Sequence, residues 1–273
     1  RLGQTTLIIA TLVFGGLTLA REQRPFLAGL GLGVAAAIKP QLAGLYVLAV
    51  LMSGHWRAVA WAALWGGGFV GVGVWRACQI DPGWLAALRD NLHTFQHLGP
   101  GDISSSNPRA HMMIHLESPL RALGVPPLPG GVFFFLVLLT GAALAGFAAW
   151  RSRPQHVPST DRHMDWSMML WSTVSALTLL VTYHRFYDTF LLLVPACWVA
   201  AHFCRSDMRR RHWLAGLMLA VFSLPNSVVV VGGGDGAGGL GGMLPRAMHD
   251  TLFWQAVALR HQTWLILALF ILF

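Results

Sequence analysis

The stretch that decides the fold is "GVAAAIKPQLAGLYV", residues 33–47. It places Lys39 and Pro40 at the midpoint of an apolar segment that runs from 26 to 53. That segment is either one long kinked span or two short apolar arms meeting at Lys39-Pro40. A proline inside a helix removes a backbone hydrogen bond and clashes with the preceding turn, which favours a break at this point. Lys39 is the only lysine in the chain; of 19 basic residues, the other 18 are arginines. A lysine at the centre of a bilayer costs about 2.5–3.5 kcal/mol on insertion scales, so it needs an anion, water or a route to the interface.

Working outward, 55% of the 273 residues are hydrophobic and 11% are charged. Soluble domains carry roughly 25% charged residues, so the composition predicts an all-α, polytopic transmembrane helical bundle. Apolar runs of spanning character lie at 5–20, 59–75, 131–150, 167–183, 189–204, 213–231 and 252–273, against the ~20 residues a crossing needs. We read 1–273 as a single transmembrane domain and, from its apolar end and its start at an arginine, as a fragment of a longer chain. The net charge of +8 sits in arginines that flank apolar runs. Such arginines orient a chain in a membrane, so nucleic acid is not an expected partner and the lipid bilayer is.

The positive-inside rule also separates the two readings of 26–53. With two arms, Arg21, Arg24, Arg57, Arg151, Arg153, Arg162 and the "RSDMRRRHW" loop at 205–213 all face the cytoplasm. With one span the bias largely cancels. The two-arm reading puts Lys39, the 76–130 loop, "YHRFYD" at 183–188 and the Gly-rich 232–242 stretch on one extracytoplasmic face. Within the 76–130 loop, "DPGWLAALRDNLHTFQHL" has Trp84, Leu85, Leu88, Leu92 and Phe95 on one helical face, as expected of a helix lying on the membrane interface.

Few residues carry chemistry. Lys39 is either a snorkelling lysine at a helix end or an ammonium that binds phosphate as a point charge; Gln41 adds amide donors beside it. His184, Arg185 and Asp188 form either an ordinary polar turn or an anion-binding group in which Asp188 orients the other two. Histidine near its switching pH suits acid–base work or phosphate contact. His93/His97 and His111/His115 are i, i+4 pairs without the acidic residues of a metal-binding motif, and no metal or other cofactor is expected. The Gly-rich 232–242 stretch lacks a nucleotide-loop ending. Cys78, Cys197 and Cys204 form no paired motif.

"GQTTLIIATLVFGGLTLAREQRPFLAGLGLGVAAAIKPQLAGLYVLAVLMSGHWRAV" resembles glycosyltransferase family 87, in the GT-C superfamily. The likeness rests on Gly3-Gln4 before a span, the basic turn at Arg21–Arg24, the run Ala28–Gln41 with its Lys-Pro-Gln, and the His55-Trp56-Arg57 turn. "YDTFLLLVPA", residues 187–196, is similar to a later family feature. The resemblance implies a GT-C-like bundle in a bacterial plasma membrane with an extracytoplasmic active site. It implies transfer of mannose or another hexose or pentose from a polyprenyl-phosphate donor to a glycan or glycolipid acceptor. Lys39, Gln41 and Arg185 would bind the donor phosphate, and Asp188 and His184 would be the catalytic candidates. In that superfamily the main base generally lies in the first extracytoplasmic loop, which would fall upstream of Arg1 and leave this chain inactive alone. The alternative from another class is a transporter or flippase for a lipid-linked or anionic solute; a non-catalytic membrane scaffold is a third. Transporters commonly carry paired broken helices, and only one broken segment is evident.

Overall fold

The computed structural model describes residues 2–97, 114–126, 160–181, 186–206, 208–223 and 260–273, with a few isolated positions between them. The chain is all-helical, with no strand among the described residues. It divides into two compact units, Arg1–Asp102 and Ile103–Phe273.

The first unit holds α1 (Leu2–Arg21), α2 (Pro25–Ile38), α3 (Pro40–Met52), α4 (Trp56–Ile80) and α5 (Trp84–His97). A tight turn with Gln23 at φ 60° reverses the chain between α1 and α2. Two contacts give the direction of α3: Lys39 meets Thr6, and Phe14 meets Tyr46 with ring centroids 6.0 Å apart. Both indices rise together, so α3 returns along α1. The 26–53 segment is therefore two arms with Lys39 at the apex. The Arg21–Arg24 turn and the Gly54–Arg57 turn lie at the opposite end, where Phe26 meets Trp61 edge-on at 5.0 Å.

α2 and α4 run parallel and approach closely because small residues line the seam. A Cβ on Gly33 would sit 2.6 Å from the Ala62 carbonyl oxygen, and one on Gly29 would collide with the Trp61 Cβ. Backbones can come this near only where there is no side chain, a device common between membrane helices.

In the second unit, α6 (Glu117–Ala122), α7 (Thr160–Val181), α8 (Leu193–Cys204), α9 (Arg210–Phe222) and α10 (His261–Leu272) are described. α7 is the centre: every residue from Trp171 to Leu180 is buried. Its hydroxyls are satisfied within the helix. Ser172, Thr173, Ser175 and Thr178 each donate to the carbonyl four residues back, at 2.7–3.0 Å. α8 and α10 pack on α7, and α9 on α8 and α10.

Several sequence boundaries shift. The 59–75 run is a helix from Trp56 to Ile80, so the connector expected from 76 starts after Ile80, and it contains α5 and α6. The helical period continues through the polar Arg76, Cys78 and Gln79 and stops only where the Asp81 carboxylate caps a turn, accepting from the Gly83 N–H at 2.7 Å. The 189–204 run begins as a 3-10 helix, Phe186–Leu192, before α8 takes over. Of the run read at 213–231 the described part is α9, Arg210–Phe222, and of the run read at 252–273 it is mainly α10, His261–Leu272; 224–231 and most of 252–259 lie outside the described residues. The run at 131–150, apart from isolated positions, and the 232–242 stretch lie outside the described residues. Among the described residues, Trp56–Ile80 is the one helix long and apolar enough to cross a membrane by length and composition; the other apolar helices are shorter.

Candidate functional site

The Lys39 apex is built by Pro40. A residue before proline is pushed out of the helical region, and Lys39 adopts φ −140°, ψ 80°. Its backbone is nonetheless fully used. The Lys39 N–H closes α2 on the Ala35 carbonyl at 2.9 Å, and its carbonyl opens α3 by accepting from Leu42 and Ala43 at 3.0 and 3.2 Å. Pro40 takes the first position of α3, where a missing N–H costs nothing. The break therefore costs little backbone pairing and turns one apolar segment into two.

The Lys39 side chain is half-buried. Its Nζ donates to Thr6 Oγ1 at 3.1 Å, and Thr6 is itself wholly buried. The ammonium is thus held at a fixed height against α1, not left to sweep the surface. Gln41 follows on the first turn of α3 and is exposed. An apolar cavity of about 340 Å³ opens between α2, α3 and α4. Ala36, Ala37, Val47, Ala63, Gly67 and Val70 are among its walls, and Ala36 and Ala37 lie within one turn of Lys39. Lys39 itself is not one of the cavity's walls; Ala36 and Ala37 are the residues that bring the slot near the break.

The second cluster read from sequence is described only in part. His184 and Arg185 lie outside the described residues. Asp188 falls in the 3-10 helix Phe186–Leu192, but its side chain lies outside what is described. His111 and the side chain of His97 are likewise outside.

What the structure adds in that unit is a polar group at the C-terminal end of α7. The Leu116 N–H donates to the Leu180 carbonyl at 3.1 Å, which ties the 114–126 segment to that end. Arg121 grips one oxygen of Glu117 through Nε and Nη2 at 2.8 and 2.6 Å. The other Glu117 oxygen is 4.0 Å from His115 Nδ1. Arg260, buried just before α10, donates from Nε to the buried Ser118 Oγ at 2.9 Å. Sequence reading missed Arg260 and Arg121. The Glu117–Arg121 pair had a local signal, its i, i+4 spacing; Arg260 and Ser118 are 142 residues apart and had none.

A second internal group joins α8 to α9. His202 and His212 stack with ring centroids 3.7 Å apart, and Trp198 meets both edge-on. His212 Nδ1 accepts from the Arg209 N–H at 3.0 Å, which satisfies that donor at the start of α9. Arg211 lies over the Trp198 ring at 5.3 Å.

A family model described as glycosyltransferase family 87 matches residues 1–182. The match takes in Thr6, Lys39, Gln41 and the whole first unit, and ends before the 3-10 helix that holds Asp188. No curated protein and no solved structure matches the chain.

Proposed function

The chain belongs to glycosyltransferase family 87, and from that premise we propose that it is a polytopic membrane enzyme that moves a sugar from a polyprenyl-phosphate donor to an acceptor hydroxyl on the extracytoplasmic side. The sugar is mannose or another hexose or pentose, and the acceptor a glycan or glycolipid. In the transfer the bond between the anomeric carbon and the phosphate oxygen breaks. The acceptor oxygen bonds that carbon, its proton passes to a base, and the lipid phosphate leaves as an anion. The leaving anion is where negative charge develops, so a fixed cation there lowers the barrier.

The observation that carries the reading is the Lys39–Thr6 contact at the apex of the two arms. It supplies a cation held in place, at the end of the unit away from the arginine turns, beside a slot whose small apolar walls suit a hydrocarbon chain. Lys39 holds the donor phosphate and Gln41 adds amide hydrogen bonds. α4 crosses the bilayer. The shorter arms α2 and α3 pack on α1 and α4 with one face and expose Leu27, Ile38, Leu48 and Leu51 on the other. Asp188, His184 and Arg185 belong to the second unit, and their roles in transfer are a separate proposal that substitution tests one residue at a time.

The test is Lys39→Met with Lys39→Arg beside it, introduced into the protein as its own gene encodes it and assayed for sugar transfer in membranes and for insertion by alkaline extraction. Lys39→Met is expected to lower transfer about 10²–10³-fold, as loss of a charge-stabilising donor does, with insertion unchanged. Lys39→Arg is expected to keep part of the activity. Full transfer in the methionine variant removes Lys39 from the mechanism.

A further inference from the structure

α5 is the element that the proposed reaction leaves unused. Among its described side chains, Leu85 to Phe95 are exposed and Trp84 is partly covered. Its five large apolar side chains are Trp84, Leu85, Leu88, Leu92 and Phe95. At about 100° per residue they fall within an arc of about 100°. Arg89, Asp90 and His93 occupy the remaining arc. A narrow, wholly apolar stripe on a helix in water needs something to cover it.

What covers it follows from where α4 ends. α4 exposes a tryptophan near each end, Trp56 at 62% and Trp75 at 63%. Nineteen residues separate them, about 28 Å at ~1.5 Å per residue. That matches the ~30 Å hydrocarbon core of a bilayer, and tryptophans collect at its two boundaries. Each carries an arginine as its C-terminal neighbour, Arg57 and Arg76. Trp75 thus marks one membrane surface, and α5 begins nine residues beyond it.

The elbow between the two helices is held on several sides. The Asp81 N–H closes α4 on the Ala77 carbonyl at 2.9 Å, and the Trp84 N–H donates to the Asp81 carbonyl at 3.1 Å. Trp84 Nε1 reaches back to Cys78 Sγ at 3.1 Å, which pins the first residue of α5 to the last turn of α4. The turn is therefore built; α4 runs on about 7 Å past Trp75 at ~1.5 Å per residue, so α5 leaves it in the headgroup layer on this reading.

We propose that α5 lies in the plane of the membrane surface with Trp84, Leu85, Leu88, Leu92 and Phe95 sunk into the lipid, and that it binds uncharged and zwitterionic lipid as readily as anionic lipid. The second half comes from its charge. α5 has one Arg and one Asp, so with neutral histidines it is uncharged as a whole. Anchoring then comes from apolar burial and not from attraction to anionic headgroups, and salt screens it little. The inference rests on reading α4 as a membrane crossing. α5 works as a fixed shelf at the lipid–water boundary, where the polar end of an amphiphilic substrate lies.

The test uses the whole chain in phosphatidylcholine vesicles, with Cys78, Cys197 and Cys204 replaced by serine and single nitroxide-labelled cysteines introduced. Labels at Leu88, Leu92 and Phe95 are expected to be reached by oxygen more than by a water-soluble nickel chelate. Labels at Arg89 and His93 are expected to show the reverse, equally at low and high salt. A label at Val72 on α4 serves as the reference: oxygen-rich there means the crossing stands whatever α5 does. Nickel access at all five α5 positions overturns the proposal by placing the helix in water. Labels at 88, 92 and 95 that are immobile and reached by neither reagent overturn it by placing the stripe against protein. Detachment at high salt overturns the charge-neutral half.

Discussion

The two units hold their helices together by opposite means. In the first, α2 and α4 meet where side chains are missing: Gly29 against Ala58, Trp61 and Ala62, and Gly33 against Ala62 and Gly66. In the second, α8 and α9 meet through large and polar groups, with Trp198, His202 and His212 interlocked and Arg211 laid over the indole. α4 exposes Leu64, Phe69, Val72 and Trp75, whereas α7 buries its whole middle. Two helices of similar length, 25 and 22 residues, thus have different solvents, lipid for α4 on our reading and protein for α7. The physical lesson is that additions break the first unit and deletions break the second.

The largest expected effect is a deletion in the second unit. Trp198 is 1% exposed and touches His202, His212 and Phe273. Trp198→Ala is expected to destabilise by about 3 kcal/mol, from the cavity and the lost ring contacts. A thermal unfolding scan in detergent checks this; an unchanged midpoint would mean α8 and α9 do not depend on the ring.

Next comes an addition in the first unit. Gly33→Leu forces atoms into the Ala62 backbone and is expected to cost about 2–3 kcal/mol. The control is Gly71→Leu on α4, where a Cβ meets nothing within 4 Å. Detergent-solubilised yield and unfolding midpoint should fall for Gly33→Leu and hold for Gly71→Leu. Equal losses at both would mean that α4 is intolerant throughout and that the seam is not special.

A smaller effect is expected at Thr6. Thr6→Val removes the acceptor of the Lys39 ammonium while keeping the shape. The loss of one charge-assisted hydrogen bond is about 1.5 kcal/mol, or a transfer rate lower by roughly tenfold if it is felt fully at the reacting phosphate. Transfer should fall further in Lys39→Met than in Thr6→Val, and the double variant should match Lys39→Met alone. Additive losses would mean that Thr6 acts other than through Lys39.

How much of this the sequence displayed depends on how local each cause is. The break at Lys39 was legible because proline is a one-residue signal and because arginine placement separated one arm from two. The apolar face of α5 was legible from its period. The end of α4 was misread because the apolar run fades at Trp75 while the helix itself continues to the Asp81 turn. The partner of Lys39 was not legible: Thr6 sits in an apolar run 33 residues away, and nothing in its neighbourhood marks it. Arg260 and Ser118 were hidden for the same reason over a longer separation. Short-range rules find where the chain breaks and which stripe is apolar; they do not find which buried hydroxyl a cation will meet.

The smallest expected effect sharpens the comparison from the side of α7. Its hydroxyls look like a polar stripe poised to bind across the bundle, yet they donate within their own helix, Ser172 to the Met168 carbonyl at 2.7 Å. That carbonyl already accepts a helical N–H, so Ser172→Ala orphans no backbone group. It also removes little volume and installs a better helix former. The expected change is about 0.5 kcal/mol or less, of either sign, measured by the same unfolding scan. A loss several times larger would mean that the Ser172 oxygen also accepts from a neighbouring helix. α7 would then join its unit through hydrogen bonds as well as through packing, and the contrast with the glycine seam of α2 and α4 would be sharper still.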